Sequence, residues 1–365
     1  MAIPISNVAS VDHIDCHLCV DCVVKCPEKG ALTINKRNIS WLPAVTTIIL
    51  TAAAITIATY FELPTISENW GKPDGKNIQM VQMDGLKNIK CFGSSRSFAN
   101  HMKEVPGVTG VETFVKHHRV VVYYDANLTD AERVKKAIFT PLSELLNFQG
   151  KTTGDISYLQ TGIDRCFDPN DQSYLAELLS QEKGVLALTT TFGEPVQATI
   201  YFDKTLTDIN KIKAAASKPT LVSGEGKDQT TVKTGFVINE KGEKSGTIPA
   251  YEFVAMFIPT TDVSFNKYES YSIDKLMVYE LPFSEASDPG MQKWIPYLVS
   301  HASNNDGVVR IQTEFTKEGP VIKIWFVNRL TSVEKINSLL KAAEFVVHYP
   351  DKSTKRVKNP FRFPV

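Results

Sequence analysis

Four cysteines near the start of the chain are spaced as ligands of an iron–sulfur cluster. They are Cys16, Cys19, Cys22 and Cys26, and Pro27 follows the last of them. The spacing C-x2-C-x2-C-x3-C-P is the bacterial [4Fe–4S] pattern, and in two-cluster ferredoxins its fourth cysteine ligates the other cluster. The chain contains one such run. We therefore expect these four cysteines to bind iron of a [4Fe–4S] cluster, with a second polypeptide completing the ligand set.

Two other chemistries use clustered cysteines. Zinc sites favour two C-x2-C pairs separated by a longer stretch, whereas these four thiols lie close together between Cys16 and Cys26. A disulfide knot would be strained at these spacings. Iron–sulfur ligation is the favoured interpretation, and zinc ligation and disulfides stay open as alternatives.

An uncharged stretch covers residues 38–61. As a helix it is long enough to cross about 30 Å of hydrocarbon. Trp41 at one end and Tyr60 with Phe61 at the other are typical of interfacial aromatic residues. The sequence predicts one transmembrane helix here, with a buried core helix as the alternative.

The charges around this stretch predict its orientation. Basic residues precede it and acidic residues follow it: Lys25, Lys29, Lys36 and Arg37, then Glu62 and Glu68. Positive residues favour the cytoplasmic side, and a reducing compartment suits an oxygen-sensitive cluster. We expect a single-pass protein of the bacterial inner membrane with a cytoplasmic N-terminus and extracytoplasmic C-terminal domains.

The rest of the chain contains one pattern three times. A strand, a Thr helix cap and an amphipathic helix follow one another at residues 120–137, 198–215 and 322–339. An earlier strand, a helix and another strand precede each copy, which gives the order β-α-β-β-α with room for a last strand. This order is that of a ferredoxin-like plait. The predicted fold class is α+β: a short ferredoxin-type 4Fe–4S segment, one transmembrane helix, then three ferredoxin-like (βαββαβ) plait domains.

The predicted domains follow from these patterns. In chain order they are a 4Fe–4S half-ferredoxin segment (1–37), the transmembrane helix (38–61), a linker (62–75), plait 1 (76–149), plait 2 (150–218), a β-rich insertion (219–274), plait 3 (275–350) and a basic C-terminal tail (351–365).

The first repeat resembles the heavy-metal-associated domains of copper chaperones and pumps, through residues 105–112 and 124–129. That family binds metal on a loop with the pattern M-x-C-x-x-C, at a helix N-terminus that lowers thiol pKa values. Here the loop has Cys91 followed by Ser94 in place of the second thiol, and the second repeat has Cys166 alone. The resemblance implies heavy-metal-associated-like plaits whose metal loops have lost ligands.

Three interpretations of Cys91 and Cys166 stay open. Cys91 is a candidate for a second metal site, assisted by Met80, Met83 or a partner chain. A Cys91–Cys166 disulfide is the second, and small residues on a scaffold are the third. The phenylalanines at the corresponding positions, Phe92, Phe167 and Phe283, are expected to fill the core beneath each loop.

The order of the first parts is similar to the C-terminal half of the NapH/FixG-type membrane polyferredoxins. The resemblance covers about the first 60 residues, through the cysteine run and the uncharged stretch. It implies cluster ligation by Cys16, Cys19, Cys22 and Cys26, and a membrane redox subunit as partner. A second copy of this chain is the alternative partner, because two such runs form a two-cluster ferredoxin.

These features together predict a function. The formal net charge is zero and phosphate-loop or hydrolase motifs are missing from the sequence, so nothing favours nucleic acid or a small-molecule substrate. We expect a membrane-anchored electron-transfer subunit that relays electrons through its 4Fe–4S cluster at the cytoplasmic face, with the plaits as a docking scaffold. The alternative is heavy-metal trafficking or assembly of a respiratory complex. As an electron-transfer subunit, the chain is expected to act within a membrane oxidoreductase rather than as an enzyme alone.

Overall fold

The structure is a computed structural model that describes residues 21–28, 31–33, 42–60, 62–71, 77–150, 154–224, 229–268, 276–349, 351 and 353–363. Within these ranges the chain forms α-helices and five β-sheets, and every strand pair is antiparallel. The predicted fold class is wrong in its ferredoxin segment and its membrane span, because no described helix is long and apolar enough to cross a membrane and no described group of residues is placed to hold a metal ion. The described chain is mostly antiparallel sheets with several helices.

The N-terminal segment has little regular structure in its described part. Helix α1 covers only Asp21–Val24, and turns follow at residues 25–28 and 31–33. In its described part the predicted ferredoxin-type segment is corrected to one short helix with turns, while residues 1–20, 29–30 and 34–37 lie outside the described ranges.

Helix α2 covers Leu42–Tyr60, in the uncharged stretch. Its 19 residues, five of them threonine, extend about 28 Å at 1.5 Å per residue. In the described part of the chain, none of the helices has both the length and the apolarity needed to cross a membrane. The prediction of a transmembrane helix over residues 38–61 is corrected accordingly; residues 38–41 and 61 lie outside the described ranges.

Unit one is a four-stranded sheet with two helices packed on one face. Its elements are β1 (Ile66–Asn69), β2 (Ile78–Met83), α3 (Phe92–Lys103), β3 (Val108–Phe114), β4 (Arg119–Asp125) and α4 (Ala131–Ile138). The strand order is β1-β3-β4-β2. Alternate residues of β4 (Val120, Val122 and Tyr124) face the core with Val134 and Ile138 of α4, as period-2 and helical patterns require.

Unit two has a five-stranded sheet in the order β11-β6-β8-β7-β5. Its elements are β5 (Ser143–Leu145), β6 (Ile156–Asp164), α5 (Pro169–Ser180), β7 (Val185–Thr191), β8 (Val196–Phe202), α6 (Ile209–Ala216) and β11 (Val237–Ile248). A separate hairpin, β9 (Thr220–Ser223) with β10 (Thr230–Lys233), lies between α6 and β11.

Unit three follows helix α7 (Ala250–Phe257) and has a four-stranded sheet in the order β12-β14-β15-β13. Its elements are β12 (Asp262–Ser264), β13 (Met277–Pro282), α8 (Ile295–Ser303), β14 (Val308–Thr316), β15 (Gly319–Phe326) and α9 (Val333–Leu340). In the described part of this unit, short 3-10 turns occur at residues 266–268, 284–287 and 292–294. The hairpin of β16 (Glu344–His348) and β17 (Thr354–Lys358) follows α9.

The order β-α-β-β-α occurs in each unit, but the sheet edges differ from the predicted plait. Each unit gains a short strand before the repeat, which pairs with its second core strand: β1 with β3, β5 with β7, and β12 with β14. A strand in the closing position of a plait is seen in unit two, where β11 pairs with β6. Thus β1, β11 and β12 join the sheets from segments predicted as linker and insertion.

The second helix of each unit begins at a polar N-cap. The side chains of Asp130, Asp208 and Ser332 accept hydrogen bonds from backbone N–H groups of the first helical turn. The cap therefore lies one residue after the predicted threonine. Each threonine is instead buried against a glycine, in the pairs Thr129–Gly107, Thr207–Gly184 and Thr331–Gly307.

Candidate functional site

Two of the four cysteines in the N-terminal run lie in the described part of the chain. Cys22 is on α1 and is exposed, whereas Cys26 follows the helix and is partly buried. Both are free thiols, and the Cys26 thiol donates a hydrogen bond to Glu28 O at 3.3 Å. Cys16 and Cys19 lie outside the described residues. Neither of these two thiols forms a disulfide in the structure.

Cys91 is the N-cap of α3. Its backbone is extended (φ −160°), and its Sγ accepts a hydrogen bond from Ser94 N at 3.5 Å. The Ser94 hydroxyl oxygen accepts from Cys91 N at 3.1 Å, which completes a capping box. Ser94, at the position where a second thiol was considered, therefore stabilises the N-terminus of α3.

This capping geometry changes the acidity of Cys91. The backbone hydrogen bond from Ser94 lowers the pKa of the Cys91 thiol, with a further contribution from the Ser94 side chain. The thiol is exposed. A thiolate at a helix N-terminus is the reactive form of cysteine, so Cys91 is the more nucleophilic of the two cysteines in units one and two.

Cys166 has the opposite environment. It lies between β6 and α5, is only 1 % exposed and belongs to the core of unit two. Burial, with a smaller effect from Asp171, raises the pKa of the Cys166 thiol to about 12. Cys166 is a protonated core residue at neutral pH, as the scaffold interpretation expects.

No metal centre joins these residues in the described part of the chain. Both Cys91 and Cys166 are free thiols, so they are not linked by a disulfide in the structure. Among the described side chains, no group of three or more His, Cys, Asp or Glu residues is placed to hold a metal ion. The expectation that the chain carries a metal-binding group is corrected for its described part, and the interpretation of Cys91 as a second metal site gains no support there.

The two thiols should differ strongly in reactivity. At neutral pH we expect iodoacetamide to modify Cys91 faster than Cys166 by more than about tenfold, because only Cys91 is exposed and has a lowered pKa. The Cys91 rate should rise with pH and level off below the pH usual for a free thiol. Peptide mass spectrometry of time points measures both rates. Equal rates in the folded protein would contradict these assignments, and denaturant should make Cys166 reactive.

The three corresponding phenylalanines do not share one role. Phe283 is fully buried, whereas Phe92 is 61 % exposed. Phe167 packs against the core of unit one although it belongs to unit two, with its ring centroid 5.3 Å from that of Phe139. The prediction of a core side chain beneath each loop is therefore wrong for Phe92.

Residues next to Cys91 and Cys166 form a contact between units one and two, which we call the junction. Lys87 Nζ lies 2.5 Å from Asp171 Oδ1, and Asn88 N donates to Asp168 Oδ2 at 2.9 Å. Asp168 also caps α5, since its Oδ1 accepts from Asn170 N at 2.8 Å. A cavity of about 370 Å³ lies between the loops. The segments next to Cys91 and Cys166 therefore form a packing contact between units one and two.

Asp168 is the central residue of this junction. It is 2 % exposed. One carboxylate oxygen caps α5, and the other accepts the hydrogen bond from Asn88 N of unit one. We expect Asp168→Ala to lower the free energy of unfolding by about 2 kcal/mol, because an N-cap contributes about 1 kcal/mol and a lost charged hydrogen bond at least as much. Urea denaturation followed by circular dichroism measures this change.

Asp208→Ala is the matched control for this substitution. Asp208 caps α6 through Asn210 N and Lys211 N and is solvent-exposed. Its loss should cost about 1 kcal/mol. If both variants lost the same stability, the contact of Asp168 with Asn88 would not hold the units together.

A larger cavity of about 800 Å³ lies where units two and three meet. Its lining includes the acidic side chains of Asp155, Glu285, Asp288 and Glu318, together with Lys317. Among the described side chains, these acidic residues do not form a group that could hold a metal ion. We assign this cavity no chemistry.

The comparisons with known proteins add no relative. No protein-family model, curated protein or solved structure matches the chain. Among the features of the sequence, the spacing of the N-terminal cysteines indicates the most specific chemistry. Sequence reasoning missed Asp168 as a junction residue, although an Asp directly before Pro169 is a typical signal for an N-cap followed by a first helical proline.

Proposed function

We propose that this protein is a one-electron carrier that binds a [4Fe–4S] cluster through its N-terminal cysteine run. The observation that carries the proposal is the spacing of Cys16, Cys19, Cys22 and Cys26 with Pro27 after them. The free, exposed thiol of Cys22 and the free thiol of Cys26 support it, since thiolates ligate such clusters. The chemistry that the cluster supplies is the uptake and release of single electrons.

The protein's own contribution is to set the cluster's environment. Burial, net charge and N–H donors near the sulfur atoms tune the reduction potential. Cys22 is exposed, so on this chain alone its side of the site faces water. A docking partner that covers this side would change the potential.

A partner is also part of the proposal because one run is half of a two-cluster ferredoxin. Cys16, Cys19 and Cys22 would hold one cube, and Cys26 would ligate a cluster shared with another run. That run belongs either to a second copy of this chain or to a separate redox subunit. Units one to three would then act as a docking scaffold.

A redox titration of anaerobically purified full-length protein tests this function. Visible absorbance should decrease on reduction with a slope of about 59 mV per tenfold change in the ratio of oxidised to reduced protein, as one electron requires. Absence of any reducible chromophore would overturn the proposal. A slope of about 30 mV, as a two-electron couple requires, would also contradict a one-electron carrier.

A further inference from the structure

Strand β2 is an open edge of unit one. In the part of the chain that the structure describes, its one neighbour is β4. The corresponding edge in unit two is the outer side of β6, and there β11 is added in antiparallel orientation. Unit two is thus a copy of the repeat in which the equivalent edge pairs with an additional strand.

The three units can be aligned by their strand pairing. The first core strand pairs with the third in each unit, and the aromatic residue at the end of the third strand fixes the register. The pairs are Gln79 with Tyr124, Ser157 with Phe202, and Met277 with Phe326. The next residues, Met80, Tyr158 and Val278, therefore occupy equivalent positions.

The equivalent edges of units one and three differ in charge. Strand β13 has Glu280, whose Oε2 lies 3.7 Å from Lys323 Nζ, and it ends at Pro282. Charged residues and proline protect an edge strand from pairing with another chain. Strand β2 has the sequence IQMVQM, without a charge or a proline, and Met80 is 63 % exposed. The edge of unit one is thus uncharged and lacks these protecting residues.

The backbone of β2 offers hydrogen bonds outward at alternate residues. Ala126 N donates to Asn77 O at 3.0 Å, and Asp125 N donates to Gly107 O at 2.8 Å on the other side of β4. Because hydrogen-bonding direction alternates along an antiparallel strand, the odd-numbered residues of β2 bond to β4. The N–H and C=O groups of Ile78, Met80 and Gln82 therefore point to the open edge.

We propose that β2 pairs with β2 of a second copy of this chain around a twofold axis at Met80. A strand paired with itself by a twofold axis is necessarily antiparallel, which is the orientation of β11 on β6. This register places Met80 opposite Met80 of the second copy and Ile78 opposite Gln82. It forms about six backbone hydrogen bonds and one continuous sheet across both copies.

Cysteine cross-linking of the full-length protein tests this register. Across a hydrogen-bonded antiparallel pair the Cα atoms are about 5.5 Å apart, which suits a disulfide. Met80→Cys should therefore give a covalent dimer on a non-reducing gel, beyond any seen for the unsubstituted chain. Gln82→Cys should not, because the register offsets the two copies of that residue by about 13 Å along the strands. Val278→Cys is the matched control on the protected edge.

Sedimentation of the unsubstituted protein and of Met80→Lys completes the test. These two and Val278→Lys are all compared with Cys26→Ser also present, so that no cluster is shared between two copies; we expect a dimer without a further substitution, a monomer for Met80→Lys, and a dimer for Val278→Lys. Circular dichroism should be the same for all three, since both positions are exposed. A monomer without a further substitution, or a Met80→Cys variant that cross-links no more than Val278→Cys, would overturn the proposal. So would a dimer that Met80→Lys leaves intact.

Discussion

Substitution of Cys22 by serine is expected to remove nearly all iron and acid-labile sulfide from the purified protein. Cys22 is one of the three thiolates that would hold a single cube, and it is exposed and unpaired. A serine hydroxyl is a harder and more weakly ionised donor than a thiolate, so the cube should not assemble. Colorimetric iron and sulfide determinations on anaerobic preparations measure the effect.

Cys91→Ser is the matched control for this experiment. Cys91 is also exposed and free, and its thiol has a lowered pKa, but it lies outside the N-terminal run. Iron and sulfide should remain at the level of the unsubstituted protein. If Cys91→Ser lost the cluster while Cys22→Ser kept it, the assignment of the ligands to the N-terminal run would be wrong.

Phe283→Ala is expected to lower the free energy of unfolding by about 3–5 kcal/mol, which is typical of a fully buried aromatic residue cut to alanine. Phe283 has no exposed surface. Its ring centroid lies 5.1 Å from those of Phe361 and Phe363, so it also fixes the C-terminal tail. Urea denaturation followed by tryptophan fluorescence and circular dichroism measures the loss.

The repeat supplies the control for this substitution as well. Phe92 holds the corresponding position in unit one but is mostly exposed, so Phe92→Ala should change stability by less than about 0.5 kcal/mol. Three units need not unfold together, and the effect of Phe283→Ala should appear in the transition of unit three. Similar losses for both variants would show that exposure does not separate the two positions.

The repeated β-α-β-β-α order could be read from the sequence because its signals are local. Alternating apolar residues mark strands such as β4 and β8, and polar caps mark the helices that follow. The edge strands could not be predicted. Strands β5 and β12 have three residues each, too few for a periodic pattern, and they form only because a neighbouring sheet offers an edge.

The uncharged stretch shows the limit of composition as evidence. Residues 38–61 lack charges, which predicted a membrane-spanning segment, but α2 covers 19 of them and includes five threonines. Absence of charge does not by itself give the length and apolarity of a span. The sequence located a helix there, and none of the helices in the described part of the chain is long and apolar enough to cross a membrane.

Thiol chemistry was only partly predictable. The types and spacing of the cysteines are visible in the sequence, but exposure is a tertiary property. Cys91 is exposed at a helix N-terminus and Cys166 is enclosed by the core of unit two. Their pKa values shift in opposite directions for that reason. The junction at Asp168 was likewise invisible, since Asn88 lies far from it along the chain.

The most direct test of the proposed function is the inorganic content and the spin of the intact protein. Full-length chain is purified without oxygen, analysed for iron, zinc and acid-labile sulfide, and then reduced for electron paramagnetic resonance. The proposal predicts iron and sulfide in equal amounts and a paramagnetic signal that appears on one-electron reduction. Bound zinc without acid-labile sulfide, and no signal after reduction, would contradict it.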